Sequence, residues 1–196
     1  LVASAVDGSY RIARRPDAPV FAVKPADRAF TRGAGGLPGY TLRSDFALSP
    51  RHLVHGPLQV LLFTDPQVKS EVDVDYYRRD IVEPLRGTDA RLGLTLGDIA
   101  DDAPELYPAL NAVTTSLGLP WLHIAGNHDV DKDAGDDSSS LRAFHASYGP
   151  DTFAWEEPGA TFIGLDDIVA MPGQRPAYVG GLREDQFAFL EAYLPT

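Results

Sequence analysis

The sequence predicts an α/β fold for most of this 196-residue chain. From Gly56 onward, short apolar runs typical of buried strands alternate with segments in which apolar residues recur at helical spacing. The 44% apolar composition is sufficient for a sizeable core at this length. Polar segments directly follow three of the apolar runs. We therefore expect alternating strands and helices, with chemically active side chains where the strands end.

Residues 1–50 differ in character from the rest of the chain. Short strand-like runs are separated by turn residues, and residues 7–12 carry a hairpin signal. The glycine-rich stretch around Pro38 reads as a loop, because no helix pattern follows it as a phosphate-binding loop requires. We predict a small β-rich N-terminal module at 1–50 and the main domain at 56–196.

The first half of the main domain reads as three strands separated by two helices. The strands are predicted at 58–64, 92–96 and 121–125, the first of them as a buried strand. The first helix is indicated by apolar residues at helical spacing, which are Tyr77, Ile81 and Leu85. The second helix is indicated in the same way by Leu106, Leu110, Val113 and Leu117, with Gly118 past its end.

The second half is predicted to contain a helix at 141–148, strands around 152–155 and 160–165, and a last helix. The apolar face of that last helix is predicted to carry Phe187, Leu190 and Leu194.

Composition excludes several classes of function. A net charge of -11 argues against a protein that holds nucleic acid by its phosphate backbone, which requires a clustered basic footprint. No nucleic-acid-binding surface is evident, although this charge is compatible with a local basic cleft. The absence of cysteine excludes thiolate zinc sites, so any metal must be held by Asp, Asn, Gln or the five histidines. No apolar run reaches the roughly 18 residues that a membrane span needs. The oligomeric state is left open.

Three polar segments carry the chemistry: Asp-Pro-Gln at 65–67, Gly-Asp-Ile-Ala-Asp-Asp at 97–102, and Gly-Asn-His-Asp at 126–129. Each follows a predicted strand, and the carboxyl ends of parallel strands lie at one edge of a sheet. Two-metal hydrolytic sites are commonly assembled at such an edge. Four residues offer oxygen ligands suited to Mn, Mg, Fe or Zn, namely Asp65, Gln67, Asp98 and Asn127.

The order of these segments resembles that of the calcineurin-like metallophosphoesterases. Their pattern runs as Asp-x-His, Gly-Asp, Gly-Asn-His-Asp or Gly-Asn-His-Glu, then a later His and Gly-His-x-His. Gln67 stands where His is usual, which is similar to bacterial members that carry Asp-Pro-Gln. The stretches 148–167 and 178–194 resemble the family's hairpin and following helix. The resemblance implies a metallophosphoesterase-type αββα sandwich, preceded by a β-rich module as in some bacterial members.

The resemblance also implies an activity, the hydrolysis of phosphomonoesters or phosphodiesters with two divalent metal ions (Mn, Fe, Zn or Mg). Asp65 and Gln67 would bind the first metal, and Asn127 would bind the second. Asp98 would contact both metals. A hydroxide bridging the two ions would then attack phosphorus in line.

Three further residues are predicted to be catalytic on the same resemblance. His128 would lie beside the leaving oxygen as proton donor or charge stabiliser, with Asp129 or Asp101 orienting its ring. The substrate would be a phosphate ester of undefined type. An extracytoplasmic location is expected, because similar bacterial proteins are often exported.

The family's later ligands have no counterpart, since no histidine follows His145. We expect the domain to be truncated at its C-terminal end, near Thr196, and the complete protein to be an enzyme. The alternative is a degenerate, non-catalytic binding or structural module that keeps the fold and binds one metal or none. The two hypotheses differ in whether the natural reading frame continues past Thr196 into two more histidine segments.

Overall fold

The computed structural model describes residues 2–4, 10–12, 57–157 and 160–194. The chain divides into two compact units, Leu1–Gly56 and Pro57–Thr196. Within the first unit, β1 (Val2–Ser4) pairs with β2 (Tyr10–Ile12) in antiparallel fashion. The rest of the predicted N-terminal β module, including the glycine-rich stretch, lies outside the described residues. The proposed domain boundaries stay a prediction.

A parallel three-stranded sheet organises the second unit. Its strands are β3 (Val60–Thr64), β4 (Leu92–Leu96) and β5 (Trp121–Ile124), in that spatial order. In the register of the sheet, Thr95 of β4 lies opposite Phe63 of β3 and opposite His123 of β5. All three strands therefore end at the same edge of the sheet. The predicted mixed α/β fold with a parallel sheet is confirmed.

Four α-helices accompany the described strands. They are α1 (Glu71–Tyr76), α2 (Tyr107–Thr115), α3 (Arg142–Tyr148) and α4 (Glu184–Tyr193). Helix α1 continues through a π-helical turn (Tyr77–Val82) into a 3₁₀ turn (Glu83–Leu85), and a second 3₁₀ turn (Pro104–Leu106) leads into α2. In the parts that the structure describes, no helix has both the length and the apolar character that crossing a bilayer requires.

The strands after β5 form two antiparallel pairs. In the first, β6 (Phe153–Glu157) lies beside β7 (Ala160–Gly164), and in the second, β8 (Ile168–Ala170) lies beside β9 (Tyr178–Gly180). The first pair confirms the two strands predicted around 152–155 and 160–165. The described strands do not form a second full sheet, so the αββα sandwich stays a prediction.

The core lies between the sheet and the helices that follow β3 and β4. Phe63 of β3 packs against Tyr77 and Trp121, with ring centroids 6.0 and 4.8 Å apart. Trp121 lies across Gly93, where an added Cβ would come within 2.1 Å of the indole ring. Leu110 of α2 is buried, as the predicted apolar face requires. Packing of aromatic and aliphatic side chains thus fixes the sheet against its helices.

The predicted burial of β3 is wrong in part. Leu62 is 58% exposed, whereas the next residue, Phe63, points to the opposite face of the strand and packs against Tyr77 and Trp121. A continuous apolar run predicts burial on both faces, but it does not reveal whether other elements cover those faces.

The apolar face predicted for the first helix is also wrong at one position. Ile81 is 46% exposed, whereas Val82 is fully buried together with Tyr77. The reason is the π-helical turn, which places residues i and i+5 one above the other. Residue 82 therefore takes the inward position that regular α-helical spacing assigns to residue 81.

The predicted apolar face of α4 is likewise wrong. Phe187 is 53% exposed and Leu194 is 65% exposed, whereas Gln186 is fully buried. The Gln186 amide donates to the Asp166 carbonyl at 2.7 Å and to the Thr152 hydroxyl at 3.2 Å. A polar side chain can be buried at this position because its hydrogen bonds are satisfied.

Candidate metal centre

The backbone at the end of the sheet is in an unusual conformation. Asp65 and Gln67 follow β3 with φ of 54° and 41°, and Asp98 follows β4 with φ of 49°. Left-handed backbone costs a non-glycine residue about 1–3 kcal/mol and is concentrated at functional sites. Three of the four predicted ligands therefore have a left-handed backbone, which is uncommon for non-glycine residues although aspartate adopts it more readily than glutamine.

Asp98 is the centre of a hydrogen-bond network between the loops. Its carbonyl accepts from the backbone N–H of Gln67 at 2.8 Å, and its Oδ2 accepts from the Gln67 side-chain amide at 3.2 Å. Its Oδ1 accepts from the backbone N–H of His128 at 2.9 Å. The structure thus brings together one residue from the loop after each of the three parallel strands.

Gly126 allows this close approach. A Cβ added there would lie 2.3 Å from Asp98 Oδ1 and 2.4 Å from the Asp98 backbone nitrogen, which no real side chain tolerates. Gly97 has a φ of 75° and lies against Gly126. The two glycines allow the loops after β4 and β5 to meet.

The remaining predicted ligands lie at the same edge. Asp65 is exposed directly after β3, and Asn127 is half-buried at the start of a 3₁₀ turn that follows β5 (Asn127–Asp129). All four predicted ligand positions therefore belong to the three neighbouring loops. Their assignment as metal ligands stays a prediction.

The ring of His128 faces two carboxylates. Its Nδ1 lies 3.0 Å from Asp101 Oδ1 and 3.2 Å from Asp102 Oδ1. Of the two partners predicted to orient this ring, Asp101 is the one that contacts it. Asp102 was not selected from the sequence, although it completes the Asp-Asp pair of the second polar segment.

Two lysines also reach these carboxylates. Lys69 Nζ lies 2.5 Å from Asp101, and Lys132 Nζ lies 2.8 Å from Asp102. Partial burial alone would raise the pKa of Asp102, but the hydrogen bonds and charges of Lys132 and His128 hold that pKa below its usual value. The ionised form of Asp102 is therefore favoured.

Asp129 is buried, whereas the role predicted for it is to orient the His128 ring. It is 2% exposed and accepts hydrogen bonds from the backbone N–H groups of Ile99 at 3.2 Å and Gly126 at 2.9 Å. It also accepts from the Tyr107 hydroxyl at 2.7 Å. Burial raises the pKa of Asp129 in spite of these hydrogen bonds. Its described contacts tie the loops to each other and to α2, and none of them reaches the His128 ring.

The donor chemistry fits a divalent cation. Asp101, Asp102 and His128 offer ligand atoms within 4.8 Å of one another and form a possible metal-binding group. Among the described residues, the side-chain oxygens of Asp98 accept hydrogen bonds from neutral N–H groups rather than from a cation.

A cleft of about 640 Å³ opens beside the candidate metal centre. Asp65, Gln67 and Lys69 line the end nearest the sheet edge, and Tyr76 and Ile81 line the far end. Both far-end side chains are about half exposed. The cleft can therefore admit a small molecule to the predicted ligands.

No protein-family model matches the chain, and no curated protein matches it. Among solved structures, the chain is similar to the purple acid phosphatase PPD1 from yellow lupin (Lupinus luteus) seeds, with 15% sequence identity and a TM-score of 0.43. The similarity covers 71% of this chain and 28% of the lupin protein. A likeness this distant assigns neither a family nor a function to the chain.

Proposed function

We propose that this chain contributes to metal-dependent hydrolysis of a phosphate ester, with divalent ions held by Asp65, Gln67, Asp98 and Asn127. The observation that carries the proposal is the left-handed backbone at the first three of these residues. Strained backbone persists only where the surrounding structure holds it, and it is concentrated at ligand-binding positions. The oxygen-donor set and the shared sheet edge support the same interpretation.

When bound, divalent ions acidify water and neutralise charge on a phosphoryl group. The remaining chemistry belongs to the side chains of this chain. Asp101 and Asp102 lie 3.0 and 3.2 Å from Nδ1 of His128 and favour the ring orientation that turns Nε2 away from them. Nε2 of His128 is then available to give a proton to the departing alcohol oxygen. Lys69 lines the cleft with its positive charge paired to Asp101.

The test combines metal binding with hydrolysis. Calorimetric titration with Mn²⁺ and turnover of bis(4-nitrophenyl) phosphate are measured for the 196-residue chain and for Asp98→Asn. We expect the substitution to weaken Mn²⁺ binding and turnover by at least about 100-fold, because it removes the carboxylate at the centre of the site.

Asp89→Asn is the matched control. Asp89 is exposed and precedes β4, so it lies at the opposite edge of the same sheet. We expect this variant to behave like the unchanged chain. Saturable Mn²⁺ binding without turnover would instead support the degenerate, non-catalytic module. An unchanged chain that binds no Mn²⁺ would contradict the proposal.

A further inference from the structure

We propose that Tyr107 is a positioning residue for the candidate metal centre. Its hydroxyl holds Asp129, and Asp129 in turn holds together the two loops that carry Asp98 and Asn127. This inference rests on the proposed function for its consequence in metal binding. Its structural part, the fixing of the loops, can be measured without metal.

Tyr107 is the first residue of α2 and is only 1% exposed. Its ring packs against Tyr148, with centroids 4.9 Å apart, and its hydroxyl donates to Asp129 Oδ1 at 2.7 Å. The ring position is therefore set by the core and does not depend on the hydroxyl. The hydroxyl can be removed without emptying the space that the ring fills.

The Asp129 carboxylate connects two loops through backbone N–H groups. Ile99, which donates to it, directly follows Asp98, and Gly126, which also donates, directly precedes Asn127. Each bond thus fixes the backbone one residue away from a predicted ligand. These contacts link the core helix to both ligand-bearing loops through one carboxylate.

The Tyr107 hydroxyl matters because Asp129 is buried. A buried carboxylate that loses a donor must find another or move, and hydrogen bonds to charged groups are the stronger ones. Movement of Asp129 would shift Ile99 and Gly126 and thereby the loops. Loss of groups that orient metal ligands lowers metal affinity by about 10–100-fold.

Tyr77 provides a matched control. It is also a buried tyrosine at 8% exposure, and its hydroxyl lies 2.9 Å from Thr114 Oγ1 within the helical layer. Tyr77→Phe removes one buried hydroxyl, as Tyr107→Phe does. The bonds from Ile99 and Gly126 to Asp129 are left in place.

The first measurement is Mn²⁺ affinity by titration calorimetry, together with the urea midpoint of unfolding. We expect Tyr107→Phe to lower the urea midpoint more than Tyr77→Phe, because the hydrogen bond that it removes ends on a buried carboxylate. Tyr107→Phe should weaken Mn²⁺ binding at least about 10-fold, and Tyr77→Phe should change it less than about 2-fold. Equal Mn²⁺ affinities in the two variants would overturn the inference.

A double-mutant cycle tests whether Tyr107 acts through Asp129. Asp129→Asn keeps the tyrosine and replaces the carboxylate, which is the acceptor of the hydrogen bond from the Tyr107 hydroxyl. If the two residues act in series, the double variant should bind Mn²⁺ about as weakly as Asp129→Asn alone. Additive losses would show that Tyr107 acts by another route and would contradict the inference.

Amide hydrogen exchange tests the loops without metal. We expect exchange at Ile99 and Gly126 to be at least about 10-fold faster in Tyr107→Phe and unchanged in Tyr77→Phe. Unchanged exchange in both variants would overturn the inference whether or not the chain binds Mn²⁺. Faster exchange in Tyr107→Phe, in a chain that binds no Mn²⁺, would support the fixing of the loops and contradict the proposed function instead.

Discussion

Two regions of the molecule gather aspartates in opposite ways. In the candidate metal centre, Asp98 accepts hydrogen bonds from neutral backbone and amide N–H groups. In a second region, which we call the α4 network (Asp151, Asp166 and Arg183), one guanidinium lies 2.7 Å from Asp151 and 2.5 Å from Asp166. Asp98, at the centre of the first region, has no cationic partner among the described residues, although lysines reach the two carboxylates beside His128. The second region neutralises its carboxylates internally.

The difference teaches what each cluster is suited to do. Carboxylates that are paired with a buried cation serve the structure, because their charge is already compensated. A carboxylate held by neutral donors on strained backbone keeps its charge available for a ligand. Residue type alone does not separate the two cases.

The pKa shifts follow the same contrast. Burial alone would raise the pKa of Asp151, but His145 and Arg183 hold that pKa below its usual range. Burial raises the pKa of Asp166, because its side chain is fully buried and Arg183 compensates only in part. Burial lowers the pKa of Arg183, but Asp166 and Asp151 raise it by more, so the pKa of Arg183 lies above its usual value. The arginine therefore stays charged at any working pH.

The largest effect on stability is expected from breaking the α4 network. Arg183→Met leaves Asp151 and Asp166 buried without their cation, and we expect the free energy of unfolding to fall by about 3–5 kcal/mol. Urea unfolding measures this loss. Arg142→Met is the control, because Arg142 is 61% exposed and its loss should cost about 0.5 kcal/mol or less. If the two variants lost similar amounts of unfolding free energy, the structural role of the network would be contradicted.

The next effect is expected from filling the candidate metal centre. Mn²⁺ at one hundred times its dissociation constant should raise the free energy of unfolding by about 2.7 kcal/mol. Asp98→Asn should abolish this increase at the same Mn²⁺ concentration, and Arg183→Met should retain it. Thermal unfolding with and without Mn²⁺ checks both statements. If Mn²⁺ stabilised Asp98→Asn as much as the unchanged chain, the ion would bind outside the candidate metal centre.

A smaller effect, with a defined pH dependence, is expected for Asp151→Asn. The folded chain binds the Asp151 proton less tightly than the unfolded chain does, so the ion pair stabilises the fold above the ordinary aspartate pKa of about 3.9. This stabilisation is lost as pH falls through the lower folded pKa. We expect the variant to lose about 1.5–3 kcal/mol at pH 7 and progressively less towards pH 3.

Asp185→Asn is the control for that series. Asp185 also approaches Arg183, at 3.4 Å, but its side chain is 72% exposed. We expect a loss of about 0.5 kcal/mol or less at every pH. A pH-independent loss in Asp151→Asn would mean that its ionisation does not stabilise the fold.

The smallest effect on stability is expected for His128→Gln, at about 1 kcal/mol or less, because the ring is partly exposed. Its turnover should nevertheless fall by about 10²–10⁴-fold, since a positioned proton donor is lost. His145→Gln is the matched control, because His145 lies 3.4 Å from Asp151 in the α4 network. Equal turnover in the two variants would contradict the role proposed for His128.

The sequence predicted the order of the elements because strand-like and helical spacing are local properties of the chain. It also predicted that three polar segments would meet, since each one follows a strand and parallel strands end together. The structure agrees for Gln67 and His128, which both donate hydrogen bonds to Asp98. The structure also shows that Asp98 approaches Gly126 at a distance that leaves no room for a Cβ.

Other features depended on packing between distant segments. The π-helical turn that buries Val82 and exposes Ile81 breaks the regular spacing on which the prediction relied. Gln186 is buried because partners far along the chain satisfy its amide. No local pattern distinguishes such a glutamine from an exposed one.

The sequence by itself determined which residues stand at the ends of the parallel strands, and therefore which side chains are available to a metal centre. Only the tertiary structure decided what each of them contacts. Asp101 faces His128, whereas Asp129 turns inward to Tyr107 and the loop backbones. The physical reason is that a carboxylate's environment is set by groups far away along the chain, and the spacing of residues in a sequence does not specify those groups.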